Sequence, residues 1–158
     1  MTRPAIPAPP YEGGCLCGAV RYRLEARPQT MTACHCDACK KMSGGSNLLV
    51  ITAPRDAFHH LSGEVARFRR TADSGRQSDV VRCATCGTRL WHEPQSFPIV
   101  TLAAGTLDNP SWVVPATHIW IDKALPGTLM HEDAVRLAGQ PSRDVQLAAF
   151  RALYGDGA

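Results

Sequence analysis

Cys34-His35-Cys36-Asp37-Ala38-Cys39 packs three cysteines into six positions, and no other stretch of the 158-residue chain says as much about its fold. Two more clusters flank it, Cys15-Leu16-Cys17 and Cys83-Ala84-Thr85-Cys86, bringing the total to seven. An odd count argues against a framework of disulfides alone, and pairs one or two residues apart have the spacing of metal ligands. Buried small hydrophobes explain such grouping poorly. The outer clusters together offer four thiolates, enough to close a tetrahedral zinc site. The middle cluster offers three. Zinc with four protein ligands is structural, whereas zinc with three keeps a place for water or substrate. The expectation is two zinc ions per chain, one enclosed by Cys15, Cys17, Cys83 and Cys86 and one held by Cys34, Cys36 and Cys39.

Local spacing supports this partition. Cys83-x-x-Cys86-Gly87 reads as a zinc knuckle, in which glycine permits the backbone turn that two thiolates need to grip one ion. Cys15-x-Cys17-Gly18 is its shorter counterpart, and a shared ion would pin the first strand to a central hairpin. The middle triad reaches one ion without distant help. The alternative, two C-x-C pairs sharing a metal, needs more long-range closures. Iron is a second possible occupant of a four-cysteine site, and zinc is the commoner one. The fourth position of the triad is left to water, a substrate thiol or a distant side chain. His35, between two ligands, is expected to point away from the ion. His118 and His92 are expected to hydrogen-bond near the core, with ligation as the rival reading. Three thiolates leave a zinc site with a net negative charge, which suits a soft ligand such as a thiolate better than it suits activated water.

Composition sets the frame. The length suits a single domain. Leu, Ile, Val and Phe make up about a fifth of the chain, at the thin edge for a globular core. Metal is expected to supply what that core lacks. The formal charge of +3 treats cysteine as neutral. With seven thiolates and two zinc ions it falls to zero, which removes the case for nucleic acid. The densest basic group is Arg67, Arg69 and Arg70. On a strand Arg67 and Arg69 share a face, read as solvated, with substrate carboxylates as the rival partner. The N-terminus lacks the apolar core of a signal peptide, no run approaches a membrane span, and reduced clustered cysteines fit a cytoplasmic protein.

Residues 1–12, rich in proline, are expected to form a flexible arm. Val20, Tyr22 and Leu24 alternate with charged neighbours as a half-buried strand does. Further strands are expected over 47–52, 65–71, 79–83, 89–92, 99–103 and 118–121, which makes the fold mainly β. Helices are expected at 37–43 and at 142–154, the latter with Ser142 as N-cap, Asp144 in its first turn and Gly155 as its stop.

Gly13-Gly14-Cys15-Leu16-Cys17-Gly18-Ala19-Val20-Arg21-Tyr22, the stretch from Cys34 to Gly44, Cys83-Ala84-Thr85-Cys86-Gly87-Thr88, Gly105-Thr106-Leu107-Asp108 and Pro115-Ala116-Thr117-His118-Ile119 together resemble the glutathione-dependent formaldehyde-activating enzymes. That family shares its domain with centromere protein V. The resemblance covers roughly residues 11–127 and implies an Mss4-like arrangement of small twisted antiparallel sheets around two zinc sites. It places a zinc-binding domain at 13–127, between the arm and a C-terminal extension at 128–158. It assigns Cys15, Cys17, Cys83 and Cys86 to a structural zinc and Cys34, Cys36 and Cys39 to a catalytic one. The chain departs from the family where Lys123-Ala124-Leu125-Pro126 replaces a basic residue followed by an aromatic one.

The implied activity is that of a carbon–sulfur lyase that condenses glutathione or a similar thiol with an aldehyde, as an S-(hydroxymethyl)glutathione synthase does. Its partners would be small molecules, with no membrane and no nucleic acid. Lys40, Lys41, Arg67 and Arg69 are candidates to grip substrate carboxylates, and no general base is named. Two other readings need the same cysteines: a carrier that binds thiol adducts without catalysis, and a structural zinc module that acts through partners.

Overall fold

A computed structural model describes residues 4–72 and 75–155. The first three residues of the expected arm and the last three of the expected extension lie outside that range. The chain is mainly β. In order it forms β1 (Tyr11–Gly14), β2 (Arg21–Leu24), β3 (Thr30–Cys34), α1 (Asp37–Ser43), β4 (Leu48–Pro54), β5 (Phe58–Ser62), β6 (Val65–Thr71), β7 (Gln77–Cys83), β8 (Arg89–Pro94), β9 (Ile99–Ala103), β10 (Thr117–Ile119), β11 (Val135–Leu137) and α2 (Arg143–Tyr154). Two compact units divide the chain, one of residues 1–7, 28–51 and 112–158, the other of residues 8–27 and 52–111.

The second unit holds the antiparallel sheet β1-β2-β5 and the run β9-β8-β7-β6. Tyr22 and Leu24 are buried and their charged neighbours are not, as alternation on one face requires. The core is aromatic: Tyr22, Phe58 and Trp91 meet with ring centroids 4.8–6.0 Å apart, and Leu90, Val81, Val100 and Leu102 are fully buried. Gly13 and Gly14 are demanded by close approach. A Cβ on Gly13 would strike the Thr106 carbonyl, and one on Gly14 the Val20 carbonyl. β6 is an edge strand with Arg67 and Arg69 facing solvent, charges that discourage pairing with another chain.

The first unit runs β11-β10-β3-β4. β3 and β11 both pair parallel with β10, whereas the pairs β6–β7, β7–β8 and β8–β9 are antiparallel. Every residue of β3 is buried, the pattern of a strand covered on both faces. α2 begins at the N-cap Ser142, whose hydroxyl accepts from the Val145 amide at 3.4 Å. It buries Ala149, Phe150, Leu153 and Tyr154 and packs on β3 and β10. The Tyr154 hydroxyl donates to the Val114 carbonyl at 2.6 Å and accepts from the Val114 amide at 3.1 Å. Where the sequence reads as strand through Ile121, β10 stops at Ile119. Trp120 adopts the left-handed conformation (φ 58°), and a short 3-10 turn, Ile121–Lys123, follows.

Candidate metal centres

In the second unit the β1–β2 turn and the β7–β8 turn each present two thiols. Both are built alike. Gly18 N–H donates to the Cys15 carbonyl (3.0 Å) and Gly87 N–H to the Cys83 carbonyl (3.0 Å), each glycine at positive φ. Backbone N–H groups also aim at sulfur: Val20 at Cys15 Sγ (3.2 Å) and Cys86 at Cys83 Sγ (3.4 Å). Such donors favour the thiolate over the thiol. Thr88 ties the two turns together, accepting from the Leu16 amide at 3.2 Å and lying 3.1 Å from Cys86 Sγ. That hydroxyl is the first of the causes that bring the Cys86 pKa down to about 5. Sequence reasoning missed Thr88, because its role depends on a contact 72 residues away.

The four sulfurs lie within 4.8 Å of one another, with Cys15–Cys17 at 3.4 Å and Cys17–Cys83 at 3.9 Å. A tetrahedron with zinc–sulfur bonds of about 2.3 Å has edges of about 3.8 Å. The donor set and its spacing therefore fit zinc, and all seven cysteines are free thiols.

The second cluster sits in the first unit, where β3 runs into α1. Cys34 ends β3, Cys36 is the N-cap of α1, and Cys39 lies in its first turn. Cys36 Sγ accepts from the Cys39 amide at 3.4 Å, and Gly44 (φ 65°) closes the helix. The three sulfurs lie within 4.8 Å of one another, and among the described residues no fourth His, Cys, Asp or Glu ligand joins them. Crowding is the electrostatic signature. Cys36 pushes the Cys34 thiol up to about 11, and Cys34 and Cys36 push Cys39 higher still. A cation among them reverses that penalty, because a coordinating thiol is deprotonated.

The neighbouring side chains are largely committed. Lys40 Nζ donates to the Lys123 carbonyl (2.7 Å) and pairs with Asp37 (3.0 Å). Lys123 Nζ lies 3.7 Å from the other Asp37 oxygen and 5.2 Å from the centre of the Trp120 ring. The left-handed Trp120 is what folds Lys123 back onto this corner. Sequence reasoning named Lys40 and Lys41 and passed over Lys123. In the other unit Arg67 pairs with Glu93 (3.2 Å) and Arg69 with Asp79 (2.7 Å).

Among the described residues, none of the histidines joins either sulfur cluster. His35 is fully buried and meets His118, Nε2 to Nδ1, at 2.9 Å. Burial lowers the pKa of both, that of His118 to about 4. His92, on β8, takes a hydrogen bond from Arg89.

Residues 10–123 match the family described as glutathione-dependent formaldehyde-activating enzyme. The chain belongs to that family. A relative from Halomonas elongata, named "Putative glutathione-dependent formaldehyde-activating enzyme", is 28% identical over 103 residues, 62% of this chain. The chain spans just under two-thirds, 66%, of that relative's length. A crystal structure of a Rhodobacter sphaeroides protein has a similar fold, with a TM-score of 0.50 at 17% identity over 80% of this chain and 98% of that one. Both sulfur clusters fall inside the span matched by the formaldehyde-activating family. Among the described residues no helix is long and apolar enough to cross a membrane.

Proposed function

We propose that the chain is a zinc-dependent carbon–sulfur lyase that joins glutathione, or a thiol like it, to an aldehyde. The sulfur–carbon bond forms as the carbonyl π bond breaks, and the proton lost by the thiol ends on the new alkoxide oxygen. The observation that carries this reading is the unequal donor count, four sulfurs in one cluster and three in the other. On this reading Cys15, Cys17, Cys83 and Cys86 enclose a structural ion, and Cys34, Cys36 and Cys39 hold the reactive one. A zinc ion held by Cys34, Cys36 and Cys39 would supply the Lewis acidity that favours the thiolate form of a substrate thiol. The protein's own part is positioning. The first turn of α1 aims Cys36 and Cys39 to one side, and β3 delivers Cys34 to them. Lys41, exposed on α1 two residues after Cys39, is the candidate ammonium group for a carboxylate of the thiol, since Lys40 and Lys123 both pair with Asp37.

NMR exchange between formaldehyde, glutathione and their adduct tests the reading. Wild type should accelerate exchange, and Cys39→Ser should return it to the uncatalysed rate, a loss on the order of 100-fold or more. The variant should keep its circular dichroism and fall from about two zinc ions per chain to about one. Glutathione binding without acceleration would replace the enzyme with a carrier of thiol adducts. Neither binding nor acceleration would leave a structural module.

A further inference from the structure

His35 stands between two thiols of the three-cysteine cluster, and its ring turns into the protein. β10 holds the backbone there. Cys34 pairs with Ile119 of β10, and the His35 N–H donates to the Ile119 carbonyl at 3.0 Å. A second hold on residue 35 is the ring itself, fully buried and 2.9 Å from His118, with the two ring planes 21° apart.

A third contact settles where the protons lie. The backbone N–H of His131 donates to His118 Nε2 at 3.3 Å. A ring nitrogen that accepts carries a lone pair, so His118 bears its proton on Nδ1. That Nδ1–H donates to His35 Nε2, which places the His35 proton on Nδ1. No acceptor reaches that last N–H in good hydrogen-bond geometry, although the backbone of Ser46 favours the protonated ring. One amide thus sets the donor and acceptor roles of two imidazoles in a row.

We propose that the His35–His118 pair is the positioning device of the three-cysteine centre, holding residue 35 so that Cys34 and Cys36 present their sulfurs to one ion before it arrives. The inference rests on reading that cluster as a metal site. The ring hydrogen bond fixes residue 35 through its side chain, in addition to the β3–β10 ladder that fixes its backbone. Without a donor at His118, the buried His35 Nε2 has no partner, and the ring gains by rotating away. Turning residue 35 reorients the thiols on either side of it. Groups that orient metal ligands from behind are typically worth 10–100-fold in affinity.

Three substitutions separate this role from simple packing. In His118→Asn the amide N–H takes the place of Nδ1–H and can still donate to His35. His118→Gln puts its amide at the Nε2 position, and His118→Leu offers nothing. Cobalt(II) and zinc affinities are measured on the full chain by competition with a chelator. The ion missing in Cys39→Ser identifies the centre, and the four-cysteine centre serves as the internal reference. The expected result is a loss of about 10–100-fold at the three-cysteine centre for Gln and Leu, with a shifted cobalt absorption band, and a change of at most a few-fold for Asn. The four-cysteine centre should hold its ion equally in all three. Should His118→Leu not fold, the comparison of Gln with Asn decides alone. Nitrogen-15 NMR of the wild-type rings should find the proton on Nδ1 of both. Equal affinities in every variant, an Asn loss as large as that of Gln, or an Nε2–H on His118 would overturn the proposal. Wild type taking up a single ion would instead overturn the metal reading beneath it.

Discussion

His92 shows how one side chain makes stability depend on pH. It lies on β8 opposite Val80 of β7 and Thr101 of β9, and Arg89 donates to its Nδ1. Burial first, then the charges of Arg89 and Arg70, hold its pKa down to about 3. An unfolded histidine titrates near 6.5. Between those values the unfolded chain binds a proton that the folded chain refuses, so stability is whole above about pH 6.5 and declines as pH falls toward 3. The expected outcome is a steeper loss for wild type than for His92→Asn, whose amide oxygen still accepts from Arg89. The difference approaches one proton, about 1.4 kcal/mol per pH unit. Urea midpoints at pH 7, 6 and 5 with saturating zinc measure it, and parallel slopes would refute it. At this scale the cysteines were legible because their chemistry and spacing are local. Thr88, His131 and Lys123 were not, since each acts on a partner that is distant in the chain.

Among the elements, those with a clean period read directly. The alternation around Tyr22 is β2, and the expected strands at 65–71 and 99–103 are β6 and β9. β3 has no alternation because it is covered on both faces, and its threonines disguise it. Thr32 hydrogen-bonds Thr117 of β10 at 2.8 Å and accepts from Gln146 of α2 at 3.2 Å. β5 and β11 are short and mostly exposed, with little apolar signal to find. α2 announces itself through its cap. Replacing Ser142 with alanine removes the acceptor for the Val145 amide and should cost about 1 kcal/mol. For a chain of this size that lowers Tm by about 2–4 °C, readable by calorimetry. An unchanged Tm would mean that packing on β3 alone sets the start of the helix.

For the molecule as a whole, metal is expected to be a condition of folding. Closed zinc sites bind with about 10–16 kcal/mol of apparent free energy, comparable to the entire stability of a domain. The four-cysteine cluster joins turns that are 66 residues apart and otherwise rests on a small aromatic core. A strong chelator should therefore lower Tm by more than about 10 °C and erase much of the β-sheet circular dichroism, with recovery when zinc returns. Unaltered melting after confirmed zinc removal would show that the core suffices without metal.

By itself the sequence determined the donor inventory, the mainly β class and the grouping of seven thiols into three local clusters. All of these follow from residue type and short-range spacing, whereas the union of the outer two clusters into a set of four is made by the fold. Only the tertiary structure decided that Thr88 bridges the two turns of the four-cysteine cluster, that Trp120 turns Lys123 toward Asp37, and that His35 finds His118 behind the triad. Contacts of that kind are made by folding across tens of residues, and a local pattern carries no record of them.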